Sequence, residues 1–217
     1  MKTPVRAHFR GPRPSAFPLA GALLLAACGA QEAPRQEAEA DTAAASAGSD
    51  CLVLAWQEQQ APDRAFDEAH DLAEGGAISC ATGTTASQFQ AALAAIRAAA
   101  QSGDKSRLLQ ELGIPLLYID AEGNRRELQR PEMVDAVFDE VFTPEAVAVL
   151  GRVKLEDLTV VAGQGAFVEL GGIWLVVDRA GGRPRIATVN QQALGEAAEA
   201  ARQAAAEGDT VPAPLAD

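Results

Sequence analysis

Few side chains in this sequence have a type and a spacing that could support catalysis, and His70 is the first of them. It lies beside Asp67 and Asp71 on the polar side of a predicted helix, where solvent exposure is the usual state. A serine nucleophile would need this histidine as its base. The pattern Gly-x-Ser-x-Gly does not occur, and four serines are typical of caps and turns: Ser79, Ser87, Ser102 and Ser106. The sequence therefore does not predict a serine hydrolase.

The cysteines are the other reactive side chains, and the first of them ends a pattern typical of secretory signals. Residues 1–15 are basic, residues 16–27 are apolar, and Cys28 follows directly. An apolar stretch of about a dozen residues is too short to span a bilayer, which needs about 20 residues. A positive start, a short apolar middle and a small-residue end indicate a cleaved signal peptide. We expect residues 1–27 to be removed on export.

The end of this segment, Leu25-Ala26-Ala27-Cys28, resembles the bacterial lipobox. In that family the cysteine sulfur receives a diacylglyceryl group, and the new amino group is acylated after cleavage. The resemblance implies a lipoprotein that is anchored in the bilayer by fatty chains such as palmitate on Cys28, with its domain in the periplasm. Gly29 follows the cysteine, which by resemblance to enterobacterial sorting favours the outer membrane over the inner one. The alternative is an ordinary signal with a chance cysteine.

Cys51 and Cys80 are the thiols that remain once Cys28 is acylated. Two thiols in an oxidising compartment usually pair. Metal binding is a poor alternative, because no second pair of ligands lies at zinc spacing. We predict a Cys51–Cys80 disulfide that closes a loop of about 30 residues.

The amino-acid composition distinguishes a tether, residues 28–50, from the folded region that follows it, and the net charge limits the kind of partner. The formal net charge is −12, and loss of the signal, which carries Lys2, Arg6, Arg10, Arg13 and no acid, makes it −16. A chain with this much negative charge repels the phosphate backbone of DNA or RNA, which argues against nucleic-acid binding. Residues 29–50 contain no aromatic or branched aliphatic side chain to bury. We therefore expect residues 28–50 to be a lipidated, disordered tether.

The remaining chain predicts helices followed by strands. Residues 51–84 are expected to form a disulfide-clipped helical hairpin. Residues 85–190 predict an α+β domain that begins with an amphipathic helix around Phe89, Leu93 and Ile96. Short β-rich runs at 155–161, 166–170, 173–177 and 185–189 are separated by glycines and predict consecutive hairpins of an antiparallel sheet. Residues 191–217 predict an Ala/Glu-rich helix and a loose tail.

This order of elements resembles the nuclear transport factor two-like (SnoaL-like) α+β cone, in a branch found in bacterial lipoproteins. The similar residues are Gly103-Asp104-Lys105, Ile114-Pro115-Leu116, Phe138 with Phe142-Thr143-Pro144-Glu145, and Gly172-Ile173-Trp174. The resemblance covers residues 87–190 and implies helices packed on a curved antiparallel sheet that surrounds a conical cavity. Relatives include enzymes, ligand-binding proteins and assembly modules, and homodimers through the open sheet face are common. Such a fold does not by itself decide the function.

The resemblance also indicates which residues an enzyme of this kind would use. Proton-moving members place a carboxylate in the cavity, beside a tyrosine or a second acid. The candidates here are Tyr118, Asp120, Asp139, Glu140 and Glu169. On a strand, Glu169 would face the side opposite Val168 and Leu170. Trp174 and Phe167 are expected in the core.

Arginines near the predicted hairpins are candidates for an anionic ligand or partner, or for a solvated sheet edge. They are Arg125, Arg126, Arg130, Arg179, Arg183 and Arg185. Because the sequence shows no nucleophile–base pair and no metal or cofactor motif, it favours a non-enzymatic binding or envelope-assembly module. Its partner would be another protein or a second copy of the chain, in addition to the bilayer. The alternative is a small isomerase or hydrolyase that uses a cavity carboxylate.

Overall fold

The computed structural model describes residues 50–208, with side chains as far as residue 204. The chain forms an α+β fold in which a six-stranded sheet packs against helices. The nine α-helices of this part are α1 (residues 50–57), α2 (Arg64–His70), α3 (Ile78–Thr82), α4 (Ala86–Ser102), α5 (Lys105–Gln110), α6 (Pro131–Ala136), α7 (Phe138–Val141), α8 (Pro144–Leu150) and α9 (Gln191–Gly208). Within residues 50–208, no helix is both long and apolar enough to cross a membrane.

Local sequence signals explain several helix boundaries. Thr85 caps α4, and Asp104 caps α5 by accepting hydrogen bonds from the backbone N–H groups of Ser106 and Arg107 at 2.9 and 3.3 Å. Gly103 ends α4 in the left-handed conformation, with φ of 66°, which glycine adopts without a steric cost. The breaks predicted at these residues are present.

The strands form one large sheet and one small hairpin. They are β1 (Leu72–Ala73), β2 (Gly76–Ala77), β3 (Leu112–Ile119), β4 (Arg125–Leu128), β5 (Thr159–Val161), β6 (Gly165–Val168), β7 (Ile173–Val176) and β8 (Arg185–Asn190). β1 and β2 pair with each other, and the large sheet has the order β4-β3-β8-β7-β6-β5. Strands β5 to β8 are consecutive antiparallel hairpins, as the glycine spacing predicted, but Leu155–Asp157 and Glu169–Gly171 form 3₁₀ turns where the sequence predicted strand.

The prediction of an antiparallel sheet is wrong for one pair of strands. β3 and β8 run parallel, so the sheet is mixed, whereas the other four neighbouring pairs are antiparallel. The parallel pair joins two segments about 70 residues apart in the chain, which is the kind of long connection that parallel strands require. No local pattern in either strand signals this pairing.

The core lies between α4 and one face of the sheet. Phe89, Leu93 and Ile96 of α4 are fully buried. They belong to one cluster with sheet residues Leu116, Ile173, Leu175, Ile186 and Val189. The helix therefore buries the apolar stripe that its sequence predicted.

The segment before α4 packs on this body. α2 ends at His70, and the β1–β2 hairpin occupies residues 72–77, where the sequence pattern predicted more helix. Glu74 forms a parallel bridge with Thr159, and its carbonyl accepts a hydrogen bond from the Val160 N–H at 2.7 Å. Residues 50–84 thus share hydrogen bonds with edge strand β5.

Candidate functional site

The predicted lipid-bearing residue, Cys28, lies outside the described residues, as do the predicted signal peptide, most of the predicted tether and the predicted loose tail. The predicted disulfide lies within them. Cys51 and Cys80 form a disulfide that joins α1 to α3 across 29 positions of sequence, with their Cα atoms 5.1 Å apart. Cys80 is exposed and Cys51 is half-buried. The predicted Cys51–Cys80 pairing is confirmed.

Glu169 differs most from its prediction among the candidate carboxylates. It lies in a 3₁₀ turn, Glu169–Gly171, instead of on a strand, and its backbone has a φ of 52°. The expected strand alternation therefore does not apply to it. Its carboxylate pairs with the Arg152 guanidinium at 2.7 Å on the surface. Glu169 is consequently an ion-pair residue and does not point into the core.

Tyr118, Arg126 and Glu140 come together where β3 and β4 meet α7. The Tyr118 ring is buried, and its hydroxyl donates to the backbone carbonyl of Glu140 at 3.3 Å. Burial, followed by the nearby charge of Glu140, raises the pKa of Tyr118. The Glu140 side chain pairs with Arg126, whose guanidinium lies over the Tyr118 ring at 5.0 Å. The two charged groups of this cluster, the Arg126 guanidinium and the Glu140 carboxylate, contact each other.

Asp120 and Asp139 lie outside the cluster of Tyr118, Arg126 and Glu140. Asp120 holds the turn between β3 and β4, where the Asn124 side-chain amide donates to it at 2.9 Å. This hydrogen bond is the main reason that the pKa of Asp120 is lowered. Asp139 is exposed on α7. The five candidate residues therefore do not form one enclosed proton-transfer site.

His70 is exposed, as expected, but the two aspartates near it are not. The His70 ring stacks on Phe66 at 4.1 Å between centroids, and its Nδ1 lies 2.9 Å from the Phe66 carbonyl oxygen. Asp67 and Asp71 are 0% and 7% exposed, so the prediction that they share a solvated face with His70 is wrong. They turn inward because they bind groups from other elements.

Asp67 and Asp71 form a buried polar node that sequence reasoning missed. Asp67 accepts hydrogen bonds from Trp56 Nε1 at 2.8 Å and from the Ser87 backbone N–H at 2.7 Å. Asp71 accepts from the Ser79 backbone N–H at 2.8 Å and from Ser79 Oγ at 2.7 Å. Burial outweighs these two bonds and raises the pKa of Asp71. The enclosed Ser79 hydroxyl is thus a structural donor.

Phe167 and Trp174 lie on the sheet face that points away from the core. Their strand neighbours Ala166, Val168 and Ile173 belong to the core cluster, so the two rings face the other way. They are half-buried and pack against each other with ring centroids 4.9 Å apart. The expectation that both are core residues is wrong, because each occupies the alternate position of its strand.

Three of the arginines singled out from the sequence contact groups of the protein itself. Arg126 pairs with Glu140, and Arg183 pairs with Glu111. Arg185 Nη1 donates to the Gln110 carbonyl at 2.8 Å. Arg125, Arg130 and Arg179 are exposed. The paired arginines join the ends of sheet strands to neighbouring elements.

A concave surface that the sequence did not predict surrounds the segment after α8. One groove, with a volume of about 510 Å³, lies between α4 and this segment. A second, of about 480 Å³, lies on the other side and shares Arg152 and Lys154 with the first. We call the first the α4 groove, and its lining residues are Gln90, Arg97, Gln101, Gly151, Arg152, Lys154 and Glu156. The basic residues Arg97 and Lys154 come from segments more than 50 positions apart.

The walls of the α4 groove are held together by two hydrogen bonds. Arg97 Nη1 donates to the Val153 carbonyl, and Gln101 Nε2 donates to the Gly151 carbonyl, each at 2.7 Å. Residues 50–208 contain no cluster of three His, Cys, Asp or Glu side chains that could hold a metal ion. The lining residues of the groove supply guanidinium, ammonium and amide N–H groups that can donate hydrogen bonds to a ligand.

Comparison with known proteins does not identify a relative. No protein-family model, curated protein or solved structure matches the chain.

Proposed function

We propose that this protein is a lipoprotein of the bacterial cell envelope, anchored through Cys28, whose periplasmic domain is a non-enzymatic binding or assembly module. The observation that carries this proposal is the sequence Leu25-Ala26-Ala27-Cys28 at the end of a short apolar segment with a basic start. Two or three acyl chains on one cysteine hold a protein stably on a membrane, whereas one chain binds only marginally.

The disulfide supports the proposed compartment. Cys51 and Cys80 are oxidised and at least partly accessible to solvent. Structural disulfides persist in oxidising compartments such as the periplasm and are rare in the cytosol. A domain that leaves the cytoplasm can keep this bond.

The strand order supports a cone of the SnoaL-like type. The β3–β4 hairpin joins the last strand, β8, through the parallel β3–β8 pair, and strands β5 to β8 continue as a meander. The long helix α4 packs on one face of this sheet. We propose that residues 85–190 adopt this cone-like fold, with α9 after it.

The filled interior favours a module over the alternative isomerase or hydrolyase. Such an enzyme would place a carboxylate in a cavity between α4 and the sheet. The space beside α4 is occupied by buried side chains such as Phe89, Leu93 and Leu116, each 0% exposed. Of the acids that an enclosed pocket would need, Asp139 is exposed, and Glu169 is half-buried at the open second groove, where it pairs with Arg152.

The anchor is tested with Cys28→Ala in the native host. We expect the wild-type protein to sediment with membranes and the variant to appear in the soluble periplasmic fraction, because only the acyl chains hold the domain to the bilayer. Ser46→Ala is the control, since it also changes a small polar side chain in the predicted tether but leaves the lipobox and the Cys51–Cys80 disulfide intact. Unchanged membrane sedimentation of Cys28→Ala would contradict the anchor.

The binding role is tested by site-specific photo-crosslinking in intact cells. The crosslinker is placed at Val176, a 37% exposed residue on the same sheet face as Trp174, and at exposed Arg202 of α9 as a comparison site. A product of twice the monomer mass indicates a homodimer, and a product of another defined mass indicates a protein partner. Absence of any discrete product from Val176 would argue against this face as an interface.

A further inference from the structure

The α4 groove concentrates positive charge on a chain whose formal net charge is −12. Its lining residues include three cations, Arg97, Arg152 and Lys154, and one carboxylate, Glu156. We infer that this groove is a binding site for a phosphate-class oxyanion, either a free phosphate group or the phosphate of a lipid headgroup. The inference rests on the groove itself and not on the proposed anchor.

The Arg97 side chain is held in position by a backbone contact. Half-buried Arg97 donates from Nη1 to the Val153 carbonyl, which leaves further N–H groups of its guanidinium for another acceptor. Gln101 fixes the neighbouring carbonyl of Gly151. The groove wall is therefore preorganised, which lowers the entropic cost of binding.

The charges of Arg97 and Lys154 are not neutralised by ion pairs within residues 50–208. The four ion pairs in this part of the chain are Lys105–Asp135, Arg126–Glu140, Arg152–Glu169 and Arg183–Glu111. The Asp157 carboxylate accepts a hydrogen bond from the Lys154 backbone N–H at 2.8 Å. The Lys154 side chain is exposed and lines the groove. A concave site with two unneutralised cations attracts an anion.

The donor set fits a phosphate oxyanion. A guanidinium supplies several directed N–H donors, and an ammonium supplies a compact charge. Gln90 adds an amide at the rim of the same groove. The volume of about 510 Å³ can take a phosphate together with the group to which it is esterified.

The inference is tested on residues 28–217 carrying Cys28→Ala, so that neither acyl chains nor the basic and apolar segment 1–27 can contribute to membrane binding. Inorganic phosphate is titrated by calorimetry into this protein and into the same protein with Lys154→Gln. Arg179→Gln is the matched control, because Arg179 is exposed and does not line the groove. We expect saturable binding that weakens about tenfold with Lys154→Gln and is unchanged with Arg179→Gln, because a hydrogen bond to a charged group is lost.

A second variant and a second probe complete the test. Arg97→Gln should weaken phosphate binding as Lys154→Gln does, because it removes the other cation that has no ion pair within residues 50–208, and binding should fall as the salt concentration rises. Sedimentation with phosphatidylglycerol vesicles, compared with phosphatidylcholine vesicles, separates the two sources of phosphate. Retention that depends on Lys154 identifies a lipid headgroup, and phosphate binding without such retention identifies a free phosphate or a soluble ester. No saturable phosphate binding, or an equal loss with Arg179→Gln, would overturn the inference.

Discussion

The carboxylate of Asp67 accepts a hydrogen bond from the indole Nε1 of Trp56 at 2.8 Å. Its other oxygen accepts the backbone N–H of Ser87, at the start of α4, at 2.7 Å. Asp67 itself lies on α2 and is 0% exposed. One buried side chain thus connects α1, α2 and α4, and both of its oxygens bind groups that can only donate.

We predict that Asp67→Asn lowers the free energy of unfolding by about 1–3 kcal/mol, because the new amide group faces an N–H donor and leaves buried polar groups unpaired. Urea unfolding at pH 7, followed by tryptophan fluorescence, measures this change. The control is Asp71→Asn. There the amide can donate to Ser79 Oγ, which can act as donor or acceptor, so both contacts with Ser79 are kept. Equal losses for the two variants would contradict the prediction.

Asp71 also predicts a dependence of stability on pH. Its pKa is raised above 3.8 in the folded protein, mainly by burial. The stability that this group contributes is therefore complete below that pH and is lost as the pH rises through the folded-state pKa. We expect Asp71→Asn to be more stable than the wild type at pH 7, with the difference shrinking towards pH 3. Chemical unfolding at pH 3, 5 and 7 checks this, and a difference that does not vary with pH would refute it.

Removal of the disulfide should cost stability. The double variant Cys51→Ser, Cys80→Ser is expected to lose about 3–4 kcal/mol of unfolding free energy, the value for a closed loop of about 30 residues on the chain-entropy model. Urea unfolding measures the loss. The wild-type protein in reducing agent serves as the control and should show a similar loss without any substitution. If neither treatment shifts the unfolding midpoint, the bond does not contribute to stability.

Two adjacent glycines at the turn of the β1–β2 hairpin, Gly75 and Gly76, allow a matched comparison. Both have positive φ, 92° at Gly75 and 134° at Gly76. A Cβ atom at Gly75 would lie 2.2 Å from the Val160 carbonyl oxygen, whereas one at Gly76 would meet nothing within 4 Å. We predict that Gly75→Ala lowers the unfolding free energy by about 1–3 kcal/mol more than Gly76→Ala, because β5 must move away. Thermal unfolding compares the two, and equal effects would show that β5 does not pack tightly on the hairpin.

The elements that sequence predicted well are those whose signals are local. The helix break at Gly103-Asp104 and the starts of α6 and α8 at Pro131 and Pro144 follow from single residues with fixed conformational preferences. The Cys51–Cys80 bond followed from composition and the expected compartment. These predictions needed no knowledge of which segments meet in space.

The features that sequence did not predict depend on contacts between distant segments. Asp67 and Asp71 occupy the polar side of a helical pattern, and only Trp56, Ser79 and Ser87 make their burial favourable. The α4 groove exists because residues 151–154 return to the side of Arg97. Periodicity describes one element at a time and carries no information on such approaches.

If the chain ahead of Cys51 is pulled, the position of the Cys51–Cys80 bond determines where the force enters the domain. Cys51 is near the start of α1, so any pull on the chain ahead of it passes through the sulfur atoms to Cys80 in α3. Residues 52–79 lie inside the covalent ring, so such a pull cannot extend them beyond the span of the bond. The helix that carries Trp56 is thereby shielded from tension, and the force enters the body of the domain beside the Asp71–Ser79 contact.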